Sequence, residues 1–139
     1  MSPSLSDAVL PLAVVGAHLT GQPLNHQLTE LGARLESKTT TAPHYRLFAL
    51  PTNPPKPGLL RVSQTLSAIE CEVWLVPVEQ VGRFLSKVSA PLAIGQLELC
   101  DGRWVHGFLC EHHATEGAPD ITHFGSWLRY RESLEVTSV

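Results

Sequence analysis

Apolar residues in this chain come in short runs of two patterns. "LPLAVVGAH" (10–18) is apolar almost throughout, which is how a strand reads when both of its faces are buried. It predicts a central strand around residues 12–16. In "NHQLTELGARL", Leu24, Leu28, Leu31 and Leu35 recur at helical spacing. With Asn25 as N-cap and Gly32 as the C′ residue, a short helix is expected there. "ARLESKTTTAPHYRLFAL" (33–50) is rich in threonine and alternates, so it reads as strand broken at Pro43. "PTNPPKPG" (51–58) holds four prolines in eight residues and predicts a stiff surface loop with no regular element. "LLRVS" after it reads as a short strand.

The second half alternates more clearly. "AIECEVWLVP" (68–77) sets Ile69, Cys71, Val73 and Leu75 against Glu70, Glu72, Trp74 and Val76, a strand stopped by Pro77. "VEQVGRFLSKV" places Val78, Val81, Phe84, Leu85 and Val88 on one helical face despite Gly82. "AIGQLELCDGRWVHGFLCE" predicts two strands flanking Asp101-Gly102, a preferred two-residue hairpin turn. "ITHFGSWLRYRE" predicts a short C-terminal helix packing Phe124, Trp127 and Leu128. The order β-α-β…β-α-β-β puts the chain in the α+β class, as a small mixed sheet or barrel with two or three short helices. Residues 1–8 form a Ser-rich lead expected to be disordered, and 9–139 form one domain.

Composition narrows the partners. The 139 residues are 43% hydrophobic and 17% charged, with a net charge of −3 when histidines are neutral. Basic residues are scattered, which argues against nucleic acid and anionic membrane as partners. The apolar stretch 8–17 is too short to span a bilayer and is interrupted by Pro11, and no basic segment precedes it. A cytoplasmic location is expected. Cys71, Cys100 and Cys110 are odd in number and lack C-x-x-C spacing, so they read as reduced, buried and inert.

Among candidate chemical groups, the seven histidines give no zinc-ligand spacing. His112, His113 and His123 read as a solvated group rather than a metal site. G-x-G-x-x-G and G-x-S-x-G are both absent. What stands out is "GAHLTGQPLN" (16–25), where a buried strand runs out into a Gly-bearing elbow that carries His18. Amides at such an elbow, around Gly16, Ala17, His18 and Leu19, can form an anion nest, helped by the N-terminus of the next helix. A small carboxylate could sit there beside His18. Tyr45 and Arg46 could clamp a second carboxylate, and Glu72 could act as base or orienting partner. The plainer alternative is that His18 is a partly buried turn residue and Tyr45 and Arg46 are ordinary strand positions.

The elbow resembles the substrate loop of the γ-glutamyl cyclotransferase-like fold, Y-G-[ST]-L followed by G-x-P-N. Here it stands as Val15-Gly16-Ala17-His18-Leu19 and Gly21-Gln22-Pro23-Leu24-Asn25. The tyrosine and hydroxyl are missing and His18 is present. A closer resemblance is to the C-terminal domain of allophanate hydrolase. It is carried in order by "VVGAHLTGQPLNHQL", "TTAPHYRLFALP", "PPKPGLLRV", "EVWLVP", "APLAIGQLELCDG" and "VHGFLCE", over about residues 9 to 115. The resemblance implies a small β-barrel with flanking helices, and no cofactor is expected. It implies decarboxylation of N-carboxycarbamate to carbamate and CO2, with His18 at the elbow facing the bound dianion. Joined to the reading of the residues, this makes His18 the expected catalytic group and Gly16, Ala17, Leu19, Gln22, Asn25, Tyr45, Arg46 and Glu72 the expected substrate-binding ones. The family's usual Ser-Ser-Lys amidase is absent from this sequence, so hydrolysis of allophanate by that route is not expected. The partners left open are a separate amidase and a second copy of the chain. Two rival readings are a non-catalytic module that assembles with an amidase and a cyclotransferase-type lyase. The lyase reading needs an acid that "GRFLSKVSAPL" does not supply.

Overall fold

The computed structural model describes residues 8–137. Seven strands and three helices follow in chain order: β1 (Val9–Val14), α1 (His26–Thr29), β2 (Arg34–Thr40), β3 (Tyr45–Leu50), β4 (Lys56–Arg61), β5 (Glu70–Pro77), α2 (Val81–Leu85), β6 (Leu92–Glu98), β7 (Trp104–Cys110) and α3 (Trp127–Thr137). Five strands make one mixed sheet in the order β2-β5-β1-β7-β6, and β3 and β4 form a separate two-stranded ribbon. β1 is central, as its two apolar faces predict. It runs antiparallel to β5, with Val14 opposite Glu72, and parallel to β7, with Ala13 opposite Gly107. Of the expected lead, only Ala8 falls within the described residues, and its carbonyl accepts from the Val78 amide. Among the described residues no helix is long and apolar enough to cross a membrane.

The expected barrel is not closed. The two edge strands of the large sheet meet only where they end, through a single bridge between Thr41 and Leu99. The ribbon packs across the opening. Tyr45, fully buried, ties it down by accepting the Glu98 amide at 2.9 Å on its hydroxyl. Arg61 donates to the same hydroxyl and pairs with Glu98. On the other side, the Leu47 amide donates to Thr122 Oγ1 and the Ile121 amide to the Leu47 carbonyl.

Several local expectations change. The proline-rich stretch was expected to be loop, yet β4 begins inside it, at Lys56. Pro57 lies opposite Ala49 on a two-stranded ribbon, where a missing donor is tolerated. α1 is four residues long, so Leu28 is buried while Leu35 falls in β2 and is largely exposed. Gly32 does stop it, at φ +81°. The segment after β5 is a 3-10 turn (Val78–Gln80) and then five residues of α2. It buries Phe84 but leaves Val78 and Leu85 exposed, because glycine at position 82 disfavours a longer helix. The β6–β7 hairpin closes through three residues rather than two. Gly102 donates to the Leu99 carbonyl and the Leu99 amide to Arg103, with Gly102 at φ +88°. That is a turn followed by a left-handed glycine. Cys100 sits on this turn and is exposed, against expectation, while Cys71 and Cys110 are buried; all three are free thiols. α3 buries Trp127, as expected, and follows a 3-10 turn at Thr122–Phe124.

Candidate functional site

The chain leaves β1 at Val14 and turns at once. The Leu19 amide bonds back to the Gly16 carbonyl at 3.0 Å, placing Ala17 and His18 at the centre of the turn. The Leu24 amide then reaches the Ala17 carbonyl at 2.8 Å. Asn25 donates its side-chain amide to the His18 carbonyl at 2.9 Å. It therefore clasps the elbow instead of capping α1, which has no side-chain cap. Glu72 holds the far end of the loop. Its Oε1 accepts from the Thr20 amide (2.9 Å), the Thr20 hydroxyl (3.0 Å) and Trp74 Nε1 (3.0 Å).

His18 is 7% exposed and lies in an aromatic slot. Its ring stacks on Phe108 from β7, with centroids 4.8 Å apart and planes 18° apart, and meets the edge of Phe84 from α2 at 5.4 Å. Nε2 is 2.8 Å from Gln27 Oε1. With Nε2–H donating to that oxygen, Nδ1 holds the free lone pair. Burial pushes the imidazole's pKa below its ordinary value; the Gln27 bond opposes this, and the nearby Lys56 and His26 add to the lowering. The resting ring is therefore neutral at pH 7.

His18, Gly16 and Ala17 line a small pit with Val14, Val15, Lys56, Pro57, Leu92 and Phe108. Its volume is about 20 Å³, enough for one water-sized group. Lys56 and Leu92 are its half-buried members and mark its mouth. The lining includes no carboxylate. The amides of Ala17 and His18 have no acceptor among the described residues.

Gly16, Ala17 and His18 thus come together as the sequence suggested, but other expected binding residues do not join them. Leu19 is buried, and its amide is spent on the turn. Gln22 donates its amide to Leu19 and does not line the pit; Gln27 is the glutamine that reaches His18. The start of α1 does not line the pit, and its Gln27, Leu28 and Thr29 amides bond to the Leu24 and Asn25 carbonyls. Tyr45 is consumed in joining the ribbon to β6. Arg46 pairs with Asp120 at 2.8 Å beside His123, away from the pit. Glu72 faces a different cleft and orients the loop through Thr20. The cation at the pit is Lys56, which the sequence reading placed in a surface loop. Its signal was the single lysine inside "PPKPG".

Gly16 explains how Lys56 arrives there. A Cβ on Gly16 would lie 2.1 Å from Pro57 Cδ, so only glycine lets the ribbon come so close. His112 and His113 lie in a 3-10 turn (His112–Thr115), and His123 packs on Phe124 with centroids 4.4 Å apart.

Sheet, ribbon and elbow together define a γ-glutamyl cyclotransferase-like domain. A mouse AIG2-like protein, 16% identical with a TM-score of 0.58, shares the fold alone. The chain belongs to the allophanate hydrolase C-terminal domain family, whose model matches residues 10–132. It is 47% identical to urea amidolyase of Saccharomyces cerevisiae over 131 residues, covering 91% of this chain and 7% of that protein. The chain therefore spans a small fraction of the curated relatives it matches. The crystal structure of Kluyveromyces lactis allophanate hydrolase is 42% identical with a TM-score of 0.88, covering 96% of this chain and 22% of that one. A uropathogenic E. coli-specific protein is 34% identical with a TM-score of 0.84, covering 90% of this chain and 97% of that one.

Proposed function

We propose that this chain binds a small carboxylate or carbamate at the His18 elbow and speeds the loss of CO2 from N-carboxycarbamate. The setting is urea and allophanate breakdown in the cytoplasm, with a separate amidase supplying the substrate. The observation that carries this reading is one pit lined by a buried imidazole, by Ala17 and His18, whose amides have no acceptor among the described residues, and by a lysine. Its lining has no carboxylate, which favours it over cyclotransferase chemistry run by a glutamate.

The step needs one proton. N-carboxycarbamate gains it at nitrogen, the C–N bond breaks, and its electron pair stays on nitrogen, leaving carbamate and CO2. An unliganded His18 is neutral, but a dianion beside it favours the imidazolium. Nδ1 takes the proton from water, passes it to the substrate nitrogen and returns to its resting form. The Gln27 bond keeps the ring aimed through the exchange.

The test supplies allophanate and an amidase and compares the rate of CO2 release with the spontaneous rate. Wild type is expected to accelerate release. His18→Asn is expected to lose ~10²–10⁴-fold, the usual contribution of a positioned acid or base. Malonate binding, read from amide shifts at Ala17 and His18, should change little in that variant. A wild-type rate no faster than the spontaneous one would overturn the decarboxylase reading.

A further inference from the structure

We infer that Lys56 makes this site select a dianion over a monoanion, and that the contact between Gly16 and Pro57 sets its place. This rests on the elbow being the ligand site and goes further in naming the residue that reads the ligand's second charge and the contact that positions it. Lys56 lines the pit yet forms no ion pair or side-chain hydrogen bond among the described residues. The chain's other ribbon arginines are spent, Arg46 on Asp120 and Arg61 on Glu98. An uncommitted ammonium on a residue that lines the pit, close enough to His18 to lower its pKa, is a standing charge for a ligand to meet.

The size of the pit decides where that charge would act. About 20 Å³ admits only one small group at the floor of a pit lined by Gly16, Ala17 and His18. The rest of any carboxylate ligand must stand at the mouth, where Lys56 is. A monocarboxylate spends its one charge on the floor groups and brings no second anion to the mouth. A dicarboxylate or dicarbamate of malonate length places its second anionic end against it. The pairing is a hydrogen bond between charged groups, stronger than a neutral one. The same lysine helps hold the resting imidazole neutral, and a second anion that neutralises it removes that influence.

Lys56 cannot choose its own position, because a lysine stem is flexible. Pro57 fixes the backbone beside it, and Pro57 rests against Gly16. A methyl on Gly16 would push the strand end outward and carry the ammonium with it.

The probes are malonate and acetate, titrated against the whole chain by NMR, with amide shifts at Ala17 and His18 as the readout. Wild type should bind malonate more tightly than acetate. Lys56→Gln should weaken malonate about 10- to 100-fold, the worth of one hydrogen bond to a charged group. Acetate should be nearly unchanged, and Lys56→Arg should restore most of the preference. In the CO2 assay Lys56→Gln should raise KM more than it lowers kcat, and the limb of kcat/KM set by His18 should move to higher pH. Gly16→Ala should lose the malonate preference with Lys56 intact. A malonate-to-acetate ratio in Lys56→Gln equal to that of wild type would overturn the inference, even if CO2 release is accelerated. A Lys56-dependent preference in a protein that does not accelerate release would leave the inference standing and remove the decarboxylase reading. Retained preference in Gly16→Ala would overturn the role given to the Pro57 contact.

Discussion

His18 owes its properties to neighbours on three elements: Phe108 on β7, Phe84 on α2 and Gln27 on α1. Their enclosure has a consequence for stability as well as for chemistry. The imidazole pKa is lower folded than unfolded, so the unfolded chain takes up a proton first as pH falls. The stabilising effect of keeping His18 neutral is thus present above its ordinary value and is lost as pH drops through the folded one. Urea unfolding from about pH 7 to about pH 5 should show wild type losing more stability than His18→Gln. An equal loss would mean that the ring is not held neutral in the fold. Arg46→Ala should leave malonate binding unchanged, since its guanidinium pairs with Asp120 on an exposed side of the ribbon. At this scale the elbow was legible in sequence because Gly16, His18 and Asn25 lie within ten residues of one another. Lys56 was not, because its part depends on a contact 41 positions away between Gly16 and Pro57.

Elements with local signals were read well, and those fixed by distant partners were not. β1 was legible because only a strand covered on both faces is apolar at successive positions. The β6–β7 hairpin was legible from alternation around Asp101-Gly102, although its three-residue closure depends on bonds between Leu99 and Arg103. The second half of β4 was legible in "LLRVS", but its start at Lys56 was not, because proline argues against a strand unless its missing donor faces no partner. Glu72 was noticed, but its three donors come from Thr20 and Trp74, and the bond to a loop 52 positions away has no sequence signature. Glu72→Ala should strand the Trp74 indole N–H and the Thr20 amide, at about 1–3 kcal/mol for a buried donor left unmet. Glu72→Gln keeps an acceptor and should cost less. Chemical denaturation of both variants checks the order, and equal losses would show that the hydrogen bonds are not what the carboxylate contributes.

At the scale of the whole molecule, the ribbon is tied to the five-stranded sheet by the Tyr45 hydroxyl and the Arg61–Glu98 pair, with Leu47 and Leu59 in the common core, while the bonds from Arg46, Leu47 and Ala49 run to residues 119–122 ahead of α3. The buried Trp127 at the start of α3 packs into the common core, so Trp127→Ala should cost about 3–5 kcal/mol, measurable by thermal unfolding. The division of the chain into sheet and ribbon also divides the site. His18 and its amides are carried by the loop that leaves β1, whereas Lys56 opens β4. A ligand that touches both works as a strap between two mechanical parts. By mass action it must favour the joined arrangement over any in which the ribbon lifts away. Amide exchange along β3 and β4, including the end of the ribbon away from the pit, should therefore slow when malonate is bound, and the slowing should vanish with Lys56→Gln. Equally, anything that loosens the ribbon at its far end, such as losing the Tyr45 hydroxyl, weakens the grip at the elbow without touching it.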